Sequence, residues 1–211
     1  MGSLAAVVLQ LMLGLPFLLQ HPRSYLSKAF EFSRIFLLKW SVNWAFLPEA
    51  AFRSKAVAIC LLLAHLSLLL MFAQYRWCKE DGGLLRLLLR RLKGRGQPEI
   101  TAKQDSAGRA DSVKQILAVV FCGNLIGIAC ARTLHFQFYS WYFHSVPLLL
   151  WHTNMFSPLR VVLFVCIEVV WNTFPPAVWS SACLLFCHLT MLFELYHFSN
   201  WSGSRARGKT A

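Results

Sequence analysis

Six apolar runs, at 4–19, 56–74, 113–131, 136–151, 159–171 and 180–196, set the rhythm of the chain, and none holds more than two charged residues. The longer runs approach the roughly 20 residues that cross a bilayer as a helix. A soluble core of this size would instead show amphipathic elements of mixed polarity. The pattern predicts an all-α polytopic membrane protein with about six spanning helices, forming a single transmembrane domain over 1–199 with a basic tail at 200–211. The first run has neither the positive n-region nor the small-residue cleavage site of a signal peptide, so it is expected to stay as a span.

Between the runs lie two long connections. In 20–55, Phe30, Arg34, Leu37 and Leu38 recur at helical spacing, with Trp40 and Trp44 four apart. That spacing predicts a helix lying in the membrane interface. The second connection, 76–112, has the Gly, Pro and charge content of a weakly structured solvated loop. Its "LLRLLLRRL" segment reads as a basic amphipathic helix suited to anionic headgroups.

Composition strengthens the membrane reading. The chain is 57% hydrophobic and 14% charged, with a mean hydropathy of +0.51, far from the soluble range. The net charge of +12 raises nucleic acid as a partner. Its distribution argues against that: ten of the 21 basic residues lie between Arg76 and Lys114, and three more are Arg205, Arg207 and Lys209. This is how positive charge gathers on the cytosolic side of a membrane protein. Residues 21–55 carry six basic and two acidic groups, so charge alone leaves the orientation soft. Parity decides it. A cytosolic 76–112 loop and a cytosolic tail require an even number of intervening spans, and the third to sixth runs make four. The 20–55 loop, the Arg132 to Phe138 edge and the "WNTFPP" turn then share the opposite, lumenal or outer, face.

The seven cysteines are odd in number and mostly fall inside apolar runs, which excludes a disulfide framework. Cys183, Cys187 and His188 can share a helix face, but no convincing companion ligands stand near them, and neither a metal nor a cofactor is expected. No Gly-rich phosphate loop or Ser-His-Asp order appears.

The parity argument gathers Arg34, Lys39, Trp40, Asn43, Trp44, Glu49, Arg132, His135, Gln137, Tyr139, Trp141, Glu168 and Asn172 at one membrane face, and His144 follows in the same aromatic stretch. Cations at the headgroup plane hold phosphate or diphosphate, with Arg giving forked hydrogen bonds. Trp and Tyr rings stack on sugars and prenyl chains while their polar edges stay wet. Each also has a plainer reading. The tryptophans suit an aromatic belt, Arg132 suits a snorkelling cation, and His135 and His144 suit satisfied interface histidines. Glu168 stands inside an apolar run, where an ionisable group either serves function or pairs with a cation.

At "AFEFSRIFLLKWSVNWAFLPEAAF", "RTLHFQFYSWYFHSVPLLLW" and "WNTFPP" the sequence resembles the endoplasmic reticulum α-1,3-mannosyltransferases of asparagine-linked glycosylation. The likeness runs through nearly the whole chain and corresponds to about the C-terminal half of such an enzyme. It implies a multi-pass endoplasmic reticulum membrane protein resembling the C-terminal part of a multi-span lipid-phosphosugar glycosyltransferase of the GT-C type. The implied donor is dolichyl phosphate mannose and the implied acceptor Man5GlcNAc2-PP-dolichol. It also implies phosphate contacts at Lys39, Arg132 and His135, with Trp40, Asn43, Trp44, Gln137 and Tyr139 lining the sugar or lipid path. The catalytic acid is expected in the N-terminal half, which has no counterpart in these residues. Ala45 stands where the family usually has Arg, and Phe136 and Phe174 where it has Tyr, so one cation and two hydroxyls are gone. The alternative expectation is a non-catalytic truncated membrane module or a partner-binding isoform.

Overall fold

The computed structural model describes residues 2–29, 31, 37–93, 106–199 and 201. It divides into two compact units, Met1–Phe36 and Leu37–Ala211. Arg34, Asn200 and the tail from 202 lie outside the described residues, as does most of the proposed interface helix before Leu37.

In the first unit, α1 (Gly2–Gln20) leads into α2 (Pro22–Ala29). The Tyr25 ring stacks on Phe17 at 5.9 Å and 9°. Its hydroxyl passes over Gly14, where a Cβ would come within 3.1 Å, so a residue without a side chain suits this crossing. Within the unit, α1 exposes apolar residues around its circumference, among them Leu4, Leu9, Leu11 and Met12, as a lipid-facing helix does.

The second unit contains α3 (Glu49–Arg53), α4 (Lys55–Phe72), α5 (Leu84–Leu92), α6 (Ser106–Cys130), α7 (Tyr139–Tyr142), α8 (Ser145–His152), α9 (Ser157–Trp171) and α10 (Val178–His197). No strand occurs among the described residues. Three of these helical stretches, Lys55–Trp77, Val113–Cys130 and Val178–His197, are long and apolar enough to cross a membrane.

Side-chain spacing fixes how the helices pack. On α6, Ala118, Cys122, Leu125, Ile126 and Ala129 are buried, one stripe at the i, i+4, i+7, i+8 period. That stripe faces inward, and α6 packs against α4, α8 and α10. On α10 the buried stripe runs through Ser181, Leu184, His188, Met191 and Leu195, while Trp179, Phe186 and Phe193 point outward. Apolar residues on both faces are what a helix needs between a protein core and lipid.

Contacts at the helix ends show an up-and-down path. At one end, Arg76 donates to the Ser199 carbonyl at 2.6 Å, and Ser199 Oγ donates to the His152 carbonyl at 2.9 Å. There the Trp201 ring lies against Phe72, Trp77 and His152. The end of α4, the end of α8 and the end of α10 therefore meet. At the other end, segment 41–43 is bonded to 128–134, and Trp40 meets Phe174. The stretch from Tyr139 to His152 thus carries the chain from one end of the bundle to the other.

The observed elements differ from the sequence expectation in several places: α6 already begins at Ser106, inside the expected 76–112 loop, and among the described residues three helices, not six, have bilayer length. The 136–151 run is broken into a 3-10 turn at Phe136–Phe138, α7 and α8. Pro147 explains the break, since it has no N–H to bond the carbonyl four residues back, and the helix restarts around it. In the 20–55 connection, Trp40 ends a 3-10 turn and Trp44 sits at φ +59°, so the two do not share a helix. Long-range bonds to α6 hold that backbone, and local spacing carries no sign of them.

Candidate functional site

Three connections converge at the end of the second unit defined by Trp40 and Phe174. Val42 N–H donates to the Leu134 carbonyl at 2.7 Å. Ser41 Oγ donates to the Asn43 carbonyl at 2.8 Å and accepts from Leu134 N–H at 3.3 Å. Asn43 is fully buried, and its amide donates to the carbonyls of Ile128 and Ala131 at 2.8 and 3.0 Å. The last carbonyls of a helix run short of intrahelical partners, and Asn43 supplies donors at this end of α6, where Ala131 N–H also bonds the Ile128 carbonyl. Ala45 N–H donates to Ser181 Oγ at 2.8 Å, tying the same loop to α10. Trp44, in the left-handed region that bulky residues seldom adopt, makes the turn between these two anchors.

Arg132 works on the neighbouring joint. Its guanidinium donates to the carbonyls of Phe52 and Ser54 at 3.3 and 3.2 Å and lies over the Phe52 ring. This places it at the α3–α4 junction, with α3 bearing Glu49. His135 Nδ1 bonds the Trp40 carbonyl at 2.9 Å. Asn43, Arg132 and His135 are therefore engaged with backbone, which makes them positioning residues for the loops around them.

The exposed members sit apart from this scaffold. An open groove of about 360 Å³ is lined by Leu37, Leu38, Lys39, Ala45, Glu49, Pro176 and Val178. The Lys39 ammonium lies 5.3 Å from the centre of the Trp40 ring, a cation–π contact of modest strength. Glu49 pairs with Arg53 at 3.5 Å, with both side chains largely exposed. The groove thus has apolar walls and one charge of each sign at its rim.

From that rim an aromatic column descends into the bundle. Trp40 stacks on Phe174 at 6.2 Å, Phe174 meets Phe136 at 5.7 Å, and Phe136 meets Trp171 edge-on at 6.3 Å. Trp171 stacks on Tyr139 at 5.1 Å and donates its indole N–H to Tyr142 Oη at 2.5 Å. Tyr142 Oη is in turn 3.1 Å from His188 Nε2. His188 lies ten residues into α10 from Val178, or about 15 Å along the axis. The foot of the column is therefore at the depth of the helices. Tyr139 hydrogen-bonds Glu168, so the carboxylate within the apolar α9 has a hydroxyl partner.

Gln137, Trp141, His144 and Asn172 are exposed. The Asn172 amide donates to the Glu168 carbonyl and closes α9. Trp141 packs on Phe138 at 4.5 Å, and His144 meets Phe121 on the side of α6. The last two lie on the flank of the bundle, away from the groove-lining residues. The scaffold residues Ser41, Ser181 and Tyr142 and the column residue Trp171 carry no sequence signal that separates them from ordinary packing, while Phe136, Phe174 and His188 stand out for reasons other than the contacts they make. The first four emerge only from long-range contacts. His188 also bonds Tyr142 across helices, an arrangement that its spacing from Cys183 and Cys187 does not suggest.

The foot of the column gives a direct prediction. Glu168→Ala leaves the half-buried Tyr139 hydroxyl without its acceptor, and a partly shielded group so abandoned costs about 1 kcal/mol, the low end of the range for buried groups. Differential scanning fluorimetry of the detergent-solubilised chain should show a melting temperature several degrees lower. Glu168→Gln keeps an acceptor oxygen and should retain most of the stability.

Comparison with known proteins now bears on this geometry. The family model described as ALG3 protein matches residues 2–181. An Arabidopsis thaliana protein named Dol-P-Man:Man(5)GlcNAc(2)-PP-Dol alpha-1,3-mannosyltransferase is 45% identical over 192 residues, covering 90% of this chain and 44% of the relative. Proteins of the same name from Mus musculus and Homo sapiens are 44% and 43% identical, each covering 89% of this chain and 41% of the relative. The chain thus spans about two-fifths of the length of these curated relatives. No solved structure matches it. With a family model matching most of its length and several relatives above 40% identity, the chain belongs to the ALG3 protein family.

Proposed function

We propose that this chain forms one side of a membrane-embedded site that transfers mannose in α-1,3 linkage from dolichyl phosphate mannose to Man5GlcNAc2-PP-dolichol. The reaction takes place on the lumenal side of the endoplasmic reticulum membrane, during assembly of the lipid-linked oligosaccharide for protein N-glycosylation. The observation that carries this reading is the open groove whose rim bears Lys39 and Glu49 and whose neighbour is an aromatic column running into the bundle. A lipid-linked phosphosugar needs those parts together: a cation for phosphate, rings for sugar and prenyl groups, and apolar walls continuous with the bilayer. The names of the relatives support the same substrates.

In this reaction the acceptor hydroxyl attacks the anomeric carbon of the donor while its proton passes to a carboxylate. The bond from that carbon to the phosphate oxygen breaks, and dolichyl phosphate leaves. Because the leaving group is already good, positioning and phosphate stabilisation contribute much of the remaining help. Lys39 holds the phosphate at the groove rim, and Trp40 and Gln137 line the sugar path. Asn43, Arg132 and His135 hold the loops that present them.

The same proposal sets the membrane path. α1, α4, α6, the α7–α8 pair, α9 and α10 make six passes of a GT-C type fold, with 76–112 and the tail cytosolic. Support comes from the alternation of helix ends, since α7–α8 cross the bundle although α8 has only eight residues.

A grafted enzyme tests the function. In a full-length relative, the aligned C-terminal part is replaced by these 211 residues and the product is expressed in cells lacking the mannosyltransferase. The expected result is lipid-linked glycan extended beyond five mannoses. A graft that reaches the membrane intact yet leaves Man5GlcNAc2 unextended contradicts the proposal. In parallel, the 211 residues expressed alone separate enzyme from non-catalytic membrane module: an active graft beside an inactive chain assigns them the latter role.

A further inference from the structure

We propose that α5 is a membrane-surface anchor that binds anionic phospholipid headgroups at the end of the bundle opposite the groove. The inference rests on the joint that holds the helix, on its two-faced surface and on its place beside a membrane-length span, and it is independent of the mannosyl-transfer reading.

The joint is built for one geometry. α4 continues through a π-helical turn, Ala73–Trp77, and the chain then reverses through Gly82 at φ +84° and Gly83 at φ +97°. Gly83 N–H bonds the Cys78 carbonyl at 2.8 Å, and Gln74 Oε1 accepts from Leu85 N–H at 3.2 Å at the start of α5. A Cβ on Gly83 would lie 2.1 Å from Gln74 Nε2, so the positive φ and the close approach both demand glycine there. α5 is therefore fixed to the mouth of the Lys55–Trp77 span, packed against the π-turn and the Lys79–Asp81 turn.

At about 100° per residue, the face left open is apolar. Leu85, Leu88, Leu89 and Leu92 form one contiguous stripe, and all are exposed, Leu92 at 83%. Arg86, Arg90 and Lys93 border that stripe on one side and Arg91 on the other, every one exposed. With nine residues the helix is about 14 Å long and cannot cross a bilayer. A short helix with an exposed leucine stripe between arginines lies in the interface, with leucines among acyl carbons and guanidinium groups at phosphate depth.

Charge complementarity selects the occupant. Arg76, Lys79, Lys114 and Arg160 belong to the same end of the bundle as the α4–α5 joint. A collar of cations round a membrane span attracts anionic lipid, each basic group near the surface adding to the attraction. An acidic protein would satisfy the arginines, but not a leucine stripe set at the mouth of a span.

Photo-crosslinking of the whole chain in vesicles tests the assignment. A benzophenone amino acid replaces Leu88, and adducts are identified by mass spectrometry. In vesicles of phosphatidylcholine and phosphatidylserine at about 7:3, phospholipid adducts are expected. Their yield should fall at least fivefold in phosphatidylcholine alone, and equally in an Arg86→Gln/Arg90→Gln/Arg91→Gln variant whose unchanged melting temperature confirms that it is folded. Adducts to protein, no adduct, or lipid adducts indifferent to headgroup charge and to the arginines would each overturn the proposal.

Discussion

Asn43→Ala is expected to lower the melting temperature of the detergent-solubilised chain by on the order of 10 °C, the largest stability loss of any single polar substitution at the groove end. The argument begins with a helix terminus. The carbonyls at the C-terminal end of α6 run short of partners within the helix; the Asn43 amide bonds the Ala131 carbonyl just past the helix and adds a second donor to Ile128, whose carbonyl also accepts from Ala131 N–H. The residue is fully buried, so water cannot substitute in the variant. The abandoned Ala131 carbonyl, the second bond lost at Ile128 and the space of the missing amide together cost about 3 kcal/mol. Asn43→Asp should be worse despite its near-identical shape, because a carboxylate has no donor and would face carbonyl oxygens. A scanning-fluorimetry series in which aspartate proves milder than alanine would contradict the capping role.

Loss of this one side chain would reach further than its own bonds. Segment 41–43 carries the backbone pairing to Leu134, and Ala45 fastens the following turn to Ser181 of α10. Lys39 and Trp40 stand immediately before that segment, so the groove rim inherits its position from α6 and α10. The groove end is in this sense an extension of helix capping. The same polar groups that satisfy helix ends hold the exposed residues in place.

The long apolar runs revealed most of the architecture because bilayer-scale helices need little more than length and apolarity. The 56–74 and 180–196 runs become Lys55–Trp77 and Val178–His197, shifted by a few residues at their ends. Helical spacing misled at Trp40 and Trp44, which suggested one helix face. The backbone there is held by Ser41, Val42 and Asn43 bonding residues about ninety positions away, and no local pattern reports such partners. The candidate set was legible as residue types gathered at one end, and the structure then separates its members. Lys39, Trp40 and Glu49 face the groove end, Asn43, Arg132 and His135 brace it, and Trp141 and His144 lie on the flank. Glu168 stood out in the sequence as a charge inside an apolar run, while its partner Tyr139 was hidden among six aromatic residues in thirteen, from Arg132 to His144.

The central claim is that the groove end is the phosphate-holding side of a mannosyl-transfer site, and Lys39 is where that claim is most exposed. Its side chain is exposed and its ammonium lies against the Trp40 ring, so its removal should not disturb the fold. A lysine–phosphate contact of about 2 kcal/mol corresponds to roughly 30-fold in affinity. The decisive measurement is the KM for dolichyl phosphate mannose of the grafted enzyme with Lys39→Ala, set beside its melting temperature. A KM raised on the order of 30-fold, with the melting temperature held, is the predicted result. An unchanged donor KM in a folded, active graft would remove Lys39 from the phosphate site and contradict the account.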